Sequence, residues 1–325
     1  MLNKIMTPQS NPDLEWQIVN RVKETPDAYT YTFSPLADSK FEFEVGQFVT
    51  ISAYLRRPTE SGGSDESMVE RAYSIASSPT RHLIDLTIKD EKPYGFINST
   101  TRKADGFSAY FFEQIKIGDK VRARLNQNKN HFLSKVAAGT EKNIAYWSGS
   151  NGAESARCLL QFMEDTKDPD LHLTLFYSNP KLYKTEGDQD SLNIIYYRWL
   201  VEMAKKVENF RVVFTYTRQK GTPPVSSDHP RIAHRTGRFF VVPEGNSEGE
   251  KVGGPEMTLS KYHDRDVTSV FNPVCGSSGF INGTVKSATT GEILRGRGII
   301  HDLLEIEGVK PEKIDKEQYY LQYVP

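Results

Sequence analysis

Four short strings hold the residue types from which a cofactor site can be built. In Arg71-Ala72-Tyr73-Ser74-Ile75-Ala76-Ser77-Ser78, a strand would send alternate side chains to one face, so Arg71 and Tyr73 project together. A guanidinium pairs with phosphate in a bidentate fork. A tyrosine ring beside it offers a flat surface to an aromatic ligand, and the Ser74 hydroxyl and amide can bond a ring nitrogen. Gly106-Phe107-Ser108 precedes an amphipathic string, where amides at the positive end of a helix dipole make an anion seat. Gly149-Ser150-Asn151-Gly152 follows an apolar run from Ile144, the strand, glycine turn and helix order that cradles a pyrophosphate. Val274-Cys275-Gly276-Ser277-Ser278-Gly279-Phe280 sets a thiol where a strand enters a helix. Each string also has an ordinary structural reading: a surface Arg on a strand, a Ser N-cap, a tight βα turn, a buried Cys packed as a small hydrophobe.

The elements that must position these strings fall into two rhythms. Residues 14–22, 28–33, 45–55, 71–77, 83–89 and 120–125 read as short strands rich in β-branched and aromatic residues, separated by turns such as Thr25-Pro26-Asp27 and Ile117-Gly118-Asp119. With one helix at about residues 108–115, they predict a small antiparallel β-barrel. Residues 57–70, with PTESGGSDESMVE, read as a polar loop. From Asn143 onward strands alternate with helices: strands at 143–148, 171–178, 211–217 and 267–275, helices at 153–163, 191–207, 280–288 and 298–307. In the 191–207 segment, Leu192, Ile195, Tyr196, Trp199, Leu200 and Met203 share one helical face. Alternation of this kind predicts a parallel sheet with crossover helices. Residues 219–266 are polar and rich in Gly and Pro, with a short hairpin expected at 236–242. The expected fold is a two-domain chain: an antiparallel β-barrel over residues 1–140 and an α/β parallel-sheet nucleotide-binding domain over residues 141–325.

Composition removes several function classes. The 325 residues carry 41 Lys and Arg against 42 Asp and Glu, a formal net charge of −1, without the basic excess that nucleic-acid binding requires. Seventeen Phe, 16 Tyr and 3 Trp supply core material, which excludes disorder. Two cysteines are too few for a disulfide framework or for a four-cysteine zinc or iron–sulfur site. The seven histidines show no metal-ligand spacing, so no metal is expected. No apolar run reaches the roughly 18 residues of a membrane span. The first residues lack a secretory apolar region, so a cytoplasmic location is expected. Neither a G-x-S-x-G elbow nor a P-loop is present, which sets aside hydrolase and kinase readings.

RAYSIASS resembles the R-x-Y-[ST]-x-x-S flavin signature of the ferredoxin–NADP⁺ reductase superfamily, in which a flavin-binding barrel precedes a nicotinamide-binding domain. The resemblance implies that Arg71 contacts the flavin phosphate, that Tyr73 stacks on the isoalloxazine, that Ser74 bonds near N5, and that Ala72 belongs to the same cofactor-binding string. It implies that the Gly106-Phe107-Ser108 turn holds the flavin pyrophosphate, with Thr87-Ile88-Lys89 running beside the cofactor. The 149–152 turn resembles the family's A-G-G-T-G-x-x-P, with Ser150, Asn151 and Ser155 as substitutions. Cys275-Gly276 resembles the family's C-G-P-x-x-[FM], with Ser277 for Pro, and the implied place of Cys275 is beside the nicotinamide C4. The tail resembles L-x-x-x-G-V-x-x-x-x-I-x-x-E-x-[FY], with Glu317 and Tyr319 in its last positions. Residues 124–132 depart from the family's G-P-x-G-x-F segment.

The resemblance implies a flavoprotein oxidoreductase with FAD, or FMN, as cofactor and NADPH or NADH as donor. Ser74, Cys275 and Glu317 are its implied catalytic residues. Lys181, Lys184, Arg218 and Lys220 are candidates for a 2′-phosphate contact. Electrons would pass singly to a separate carrier protein such as ferredoxin or flavodoxin, since two cysteines exclude a fused plant-type iron–sulfur domain. The same scaffold also serves as the reductase subunit of a multicomponent oxygenase, or as a non-catalytic regulatory or scaffold protein.

Overall fold

The structure is a computed structural model that describes residues 14–36, 41–58, 64–90, 107–126, 135–136, 138–185, 188, 192–219, 225–236, 269–286, 293–295, 298–305 and 308–319. By their contacts the residues divide into two compact units, residues 1–23 with 27–134, and residues 24–26 with 135–325.

The first unit contains all but the last two residues of β1 (Leu14–Thr25), and β2 (Ala28–Pro35), β3 (Phe48–Pro58), β4 (Ser64–Ser74), β5 (Ile84–Lys89), α1 (Phe107–Gln114) and β6 (Lys120–Leu125). The strands form an antiparallel sheet in the order β4-β3-β6-β1-β2-β5. Period-two burial explains it: Trp16 and Ile18, Tyr31 and Phe33, Val49 and Ile51, and Ile84, Leu86 and Ile88 all point into one core with Phe107 and Phe111 of α1. Rings meet there edge-on, Trp16 on Phe41 at 4.9 Å and Tyr31 on Phe111 at 5.3 Å. Full burial of an apolar side chain such as Ile51, Leu86 or Phe111 contributes about 1.5–3 kcal/mol. The sheet is barrel-like without being closed. Beyond the end of β4, the Ala76 amide donates to the Asp85 carbonyl at 2.8 Å and the Asp85 amide to Ser77 Oγ at 3.0 Å.

The polar 57–70 segment is not a loop. β3 and β4 remain paired out to Pro58 and Ser64, leaving residues 59–63 between them, outside the described residues. This end of the hairpin extends with Tyr54 and Met68 exposed and opposite one another. Strands there need no apolar alternation, because backbone pairing alone continues the ladder.

The second unit contains β7 (Asn143–Gly149), a 3₁₀ turn (Ser150–Gly152), α2 (Ala153–Thr166), β8 (His172–Asn179), α3 (Tyr197–Lys206), β9 (Phe210–Tyr216), β10 (Ile232–Thr236), β11 (Asn272–Ser277), α4 (Ser278–Asn282), β12 (Thr284–Lys286), β13 (Ile293–Arg295), α5 (Ile299–Glu305) and β14 (Ile314–Tyr319). Its main sheet is parallel throughout, ordered β10-β9-β8-β7-β11-β14. Strands covered on both faces are apolar runs, and seven of the eight residues of β8 are buried. Trp147 stacks on Phe176 at 4.2 Å with planes 10° apart, and its Nε1 donates to Asn272 Oδ1 at 3.2 Å.

Three expected elements differ. The helix expected over 191–207 begins only at Tyr197, because Leu192 bridges to Tyr183 and Tyr196 turns left-handed at φ 63°. The helix expected over 280–288 is α4, which stops at Asn282 because Gly283 takes φ +69°, and the chain continues as β12, paired with β13. Thr236 ends the parallel strand β10 rather than starting a hairpin; residues 237–242 lie outside the described residues. No helix among the described residues is long and apolar enough to cross a membrane.

Candidate functional site

In the first unit, the Arg71 string closes β4. Arg71 and Tyr73 are half-buried, Ala72 is exposed and Ser74 is buried. Pairing with β3 sets Arg71 opposite Ile51, Tyr73 opposite Val49 and Ser74 opposite Phe48. Arg71 Nη1 donates to the Glu70 carbonyl at 2.7 Å. The Tyr73 ring packs at the margin of the core, 6.1 Å from the ring of Phe107, which stacks in turn on Phe111 at 5.2 Å. Two strings distant in sequence thus become neighbours: the Arg71–Ser74 strand end and the start of α1. The first turn of α1 carries Phe107 and Ser108 and no acidic residue, so nothing there opposes an anion at the dipole end. Gly106 lies outside the described residues.

Thr87, Ile88 and Lys89 sit on β5. Thr87 and Ile88 are buried, and Thr87 Oγ1 lies 2.9 Å from Thr30 Oγ1, so these two act within the core while Lys89 is half-buried. At the departure from the family pattern, the Asn126 amide donates to the Phe48 carbonyl at 3.0 Å and its Nδ2 to Thr50 Oγ1 at 2.9 Å; residues 127–132 lie outside the described residues.

In the second unit, the 149–152 turn rises from the carboxyl end of the central strand β7. Its carbonyls are tied down by buried tyrosines: Tyr177 OH donates to the Ser150 carbonyl at 2.9 Å and Tyr146 OH to the Gly152 carbonyl at 3.2 Å. Burial, with the charges of Glu154 and Glu24 adding to it, pushes the Tyr177 hydroxyl up, so it stays protonated as a donor. The Asn151 carbonyl accepts from the Ala153 amide, and the first turn of α2 carries the acidic Glu154. Ser150 takes the left-handed φ of 53°, a region that glycine enters without strain. Gly152 is needed for a different reason: a Cβ there would lie 2.5 Å from the carbonyl oxygen of Cys275.

Cys275 is fully buried on β11. Register places it level with Ser148 on β7 and with Glu317 on β14; the Glu317 side chain lies outside the described residues. Cys275 and Glu317 are therefore brought to one level of the sheet, whereas Ser74 belongs to the other unit. Ser148 Oγ is buried with no hydrogen-bond partner among the described residues, an orphaned hydroxyl directly before the Gly149–Gly152 turn. Sequence reasoning assigned it no role, though a serine inside an otherwise apolar strand was the visible signal. Gly276 and Gly149 both face the ring of Phe280.

At the ends of β8 and β9, the Arg218 amide donates to the Pro180 carbonyl at 2.9 Å, so exposed Arg218 and Lys181 flank the same point. Lys184 is exposed, and Lys220 lies outside the described residues. On β10, the His234 ring stacks on Phe214 and Tyr216 with planes 15° and 7° apart, and Tyr216 OH lies 2.7 Å from its Nδ1. Burial lowers this histidine from 6.5 to about 4, so it is neutral near pH 7. Among the described residues no group of three His, Cys, Asp or Glu is placed to hold a metal ion.

No family profile matches the sequence, and no curated protein matches it. Solved structures do. The flavohem-like FAD/NAD-binding domain of nitric oxide dioxygenase from Vibrio cholerae O1 biovar El Tor aligns over 95% of this chain and 99% of its own, at 14% identity and a TM-score of 0.63. The cytochrome b5 reductase domain of Ulva prolifera nitrate reductase aligns over 94% and 97%, at 15% identity and 0.59. A ferredoxin–NADP⁺ reductase from Neisseria gonorrhoeae, solved with FAD and NADP, aligns over 95% and 99%, at 15% identity and 0.55. The chain thus has the two-unit fold of these ferredoxin–NADP⁺ reductase-like structures, an antiparallel barrel-like sheet followed by a parallel α/β sheet.

Proposed function

We propose that the chain is a flavin-dependent NAD(P)H oxidoreductase that passes electrons to a separate one-electron carrier protein. The observation that carries this reading is the seating of the Gly149–Gly152 turn against the backbone of Cys275, which sets a dinucleotide turn and a thiol-bearing strand end at one spot. The residues present fit the groups. In the first unit Arg71 and the first turn of α1 would hold the flavin phosphates, and Tyr73 would lie against its ring, with FAD favoured because the string Gly106-Phe107-Ser108 suits a pyrophosphate. In the second unit the turn amides would hold the nicotinamide dinucleotide, and the orphaned Ser148 hydroxyl fits a site completed by a ligand. Flavin chemistry supplies the exchange between a two-electron donor and one-electron acceptors.

The protein's own contribution is orientation. The parallel strands hold Cys275 beside the turn, and holding reactants in a fixed geometry can remove about 7–11 kcal/mol from a barrier. The two cysteines cannot build a four-cysteine cluster, which supports a carrier on a second protein such as ferredoxin or flavodoxin. One solved structure sharing the fold, at 17% identity and a TM-score of 0.57, is the ferredoxin reductase in carbazole 1,9a-dioxygenase, which supports a reductase of an oxygenase system as a second reading. Purified protein should be yellow and should bleach anaerobically with NADPH or NADH, tried in turn. Colourless protein that takes up no added FAD or FMN refutes the reading. Cys275→Ala should retain flavin but slow its reduction roughly tenfold or more; an unaltered rate returns Cys275 to core packing.

A further inference from the structure

Two glycines in the second unit are glycine without any backbone need. Gly149 has φ −115° and ψ 120°, ordinary extended backbone, and Gly276 lies within a regular strand. What excludes a side chain at both is one ring. A Cβ on Gly149 would lie 2.9 Å from Phe280 Cγ, and a Cβ on Gly276 would lie 2.7 Å from Phe280 Cδ1. Phe280 therefore fills the notch between the ends of β7 and β11, packed against both Gly149 and Gly276. Its hold is built locally. Ser277 caps α4, its Oγ accepting from the Phe280 amide at 3.4 Å, and the neighbouring Ile281 is fully buried in the apolar cluster. Where the resembling family carries proline, Ser277 supplies the hydroxyl that fixes the wedge.

We propose that Phe280 is a positioning residue: its half-buried ring spaces the Gly149 turn from the Gly276 strand end and so sets where the nicotinamide nucleotide rests relative to Cys275. The inference rests on the oxidoreductase reading above. The ring also packs against the apolar cluster that holds Ile281, so what separates a spacer from a plain core residue is the effect of the ring on flavin reduction, beyond its effect on stability.

The test is a coupled set of variants, Phe280→Ala, Phe280→Leu, Gly149→Ala and Gly149→Ala/Phe280→Ala, read by anaerobic flavin reduction with NADPH and NADH, by FAD affinity and by thermal melting. Misplacement of about 1 Å at a reacting centre costs up to roughly 100-fold, so Phe280→Ala should slow reduction roughly 10- to 100-fold while FAD affinity stays unchanged. Gly149→Ala alone should impair reduction and lower the melting temperature. In the double variant the methyl finds space, so adding it to Phe280→Ala should cost nothing further. Phe280→Leu carries the test if the alanine variant fails to fold. Normal reduction by both Phe280 variants, or effects of the two sites that simply multiply as independent changes do, overturns the proposal. If the protein proves to take up no flavin, the functional reading fails. The melting temperatures then still decide whether ring and glycine are coupled.

Discussion

Gly152→Ala offers a test in which two lines of physics predict opposite signs. Gly152 has φ −61° and ψ −7°, a helical conformation that alanine adopts freely. On backbone grounds alone the substitution should stabilise by about 0.4–1 kcal/mol, through a less flexible unfolded chain. Packing says otherwise. The new methyl would sit 2.5 Å from the Cys275 oxygen, 2.9 Å from its carbonyl carbon and 3.1 Å from Ser148 Oγ, where ordinary contact begins at 3.4 Å. The first two are backbone atoms of a central strand, which cannot swing aside as a long side chain can. Separation by the better part of an ångström must come from moving β11 or the turn, and overpacking of this kind costs about 1–3 kcal/mol. Packing exceeds the entropic gain, so the net expectation is a loss of about 1–2 kcal/mol. For a unit of this size that lowers the melting temperature by roughly 2–8 °C. Urea unfolding followed by tryptophan fluorescence reads it directly, because Trp147 lies in the same sheet. A variant as stable as the parent, or more so, would show that the close approach of turn and strand is not a constraint.

Arg71→Ala should weaken FAD retention by roughly 10- to 100-fold, the value of a charge-assisted contact of about 1.5–3 kcal/mol, measured by flavin fluorescence on dilution; unchanged affinity removes Arg71 from the phosphate role. Ser150→Gly relieves a left-handed conformation worth about 1–2 kcal/mol for a side-chain-bearing residue, against about 0.5–1 kcal/mol of added backbone entropy. Unfolding should therefore show a gain of up to about 1 kcal/mol, and a clear loss would mean that the serine side chain holds the turn. His234 binds its proton less readily folded, at about 4, than unfolded, at 6.5. Its contribution is accordingly complete above pH 6.5 and is lost as pH falls toward 4, where the unfolded chain binds the extra proton. His234→Gln should flatten that acid limb of the stability profile, and an identical slope in both proteins would refute the assignment.

Much of the architecture is readable in local pattern, since period-two runs such as Ile84, Leu86 and Ile88 and continuous runs such as Leu173 to Tyr177 show which faces are covered. Where reading failed, the deciding force was not local. The outer part of β4, with Ser64, Asp65 and Glu66, carries no apolar alternation, and only the ladder to β3 makes it a strand. Helix periodicity after Phe280 ran past Asn282-Gly283, although glycine at φ +69° is the physical stop. The site strings were visible as residue types, and their neighbours were not. That Tyr73 meets Phe107, or that Cys275 stands level with Ser148 and Glu317, depends on strand order. The reason for Gly149 and Gly276 is a ring that approaches from a separate helix.

The place of β7 in the parallel sheet also governs how the chain is made. One of its partners, β8, follows closely, but the other, β11, begins only at Asn272. At ribosomal speed that interval lasts on the order of ten seconds. Throughout it the Ile144–Trp147 edge has no strand on its second side, and an unpaired apolar edge recruits other chains. Folding of this half is thus a matter of timing as much as of affinity. A nascent chain stalled or cut before β11 should aggregate through β7, whereas one interrupted after the first unit should leave that unit soluble.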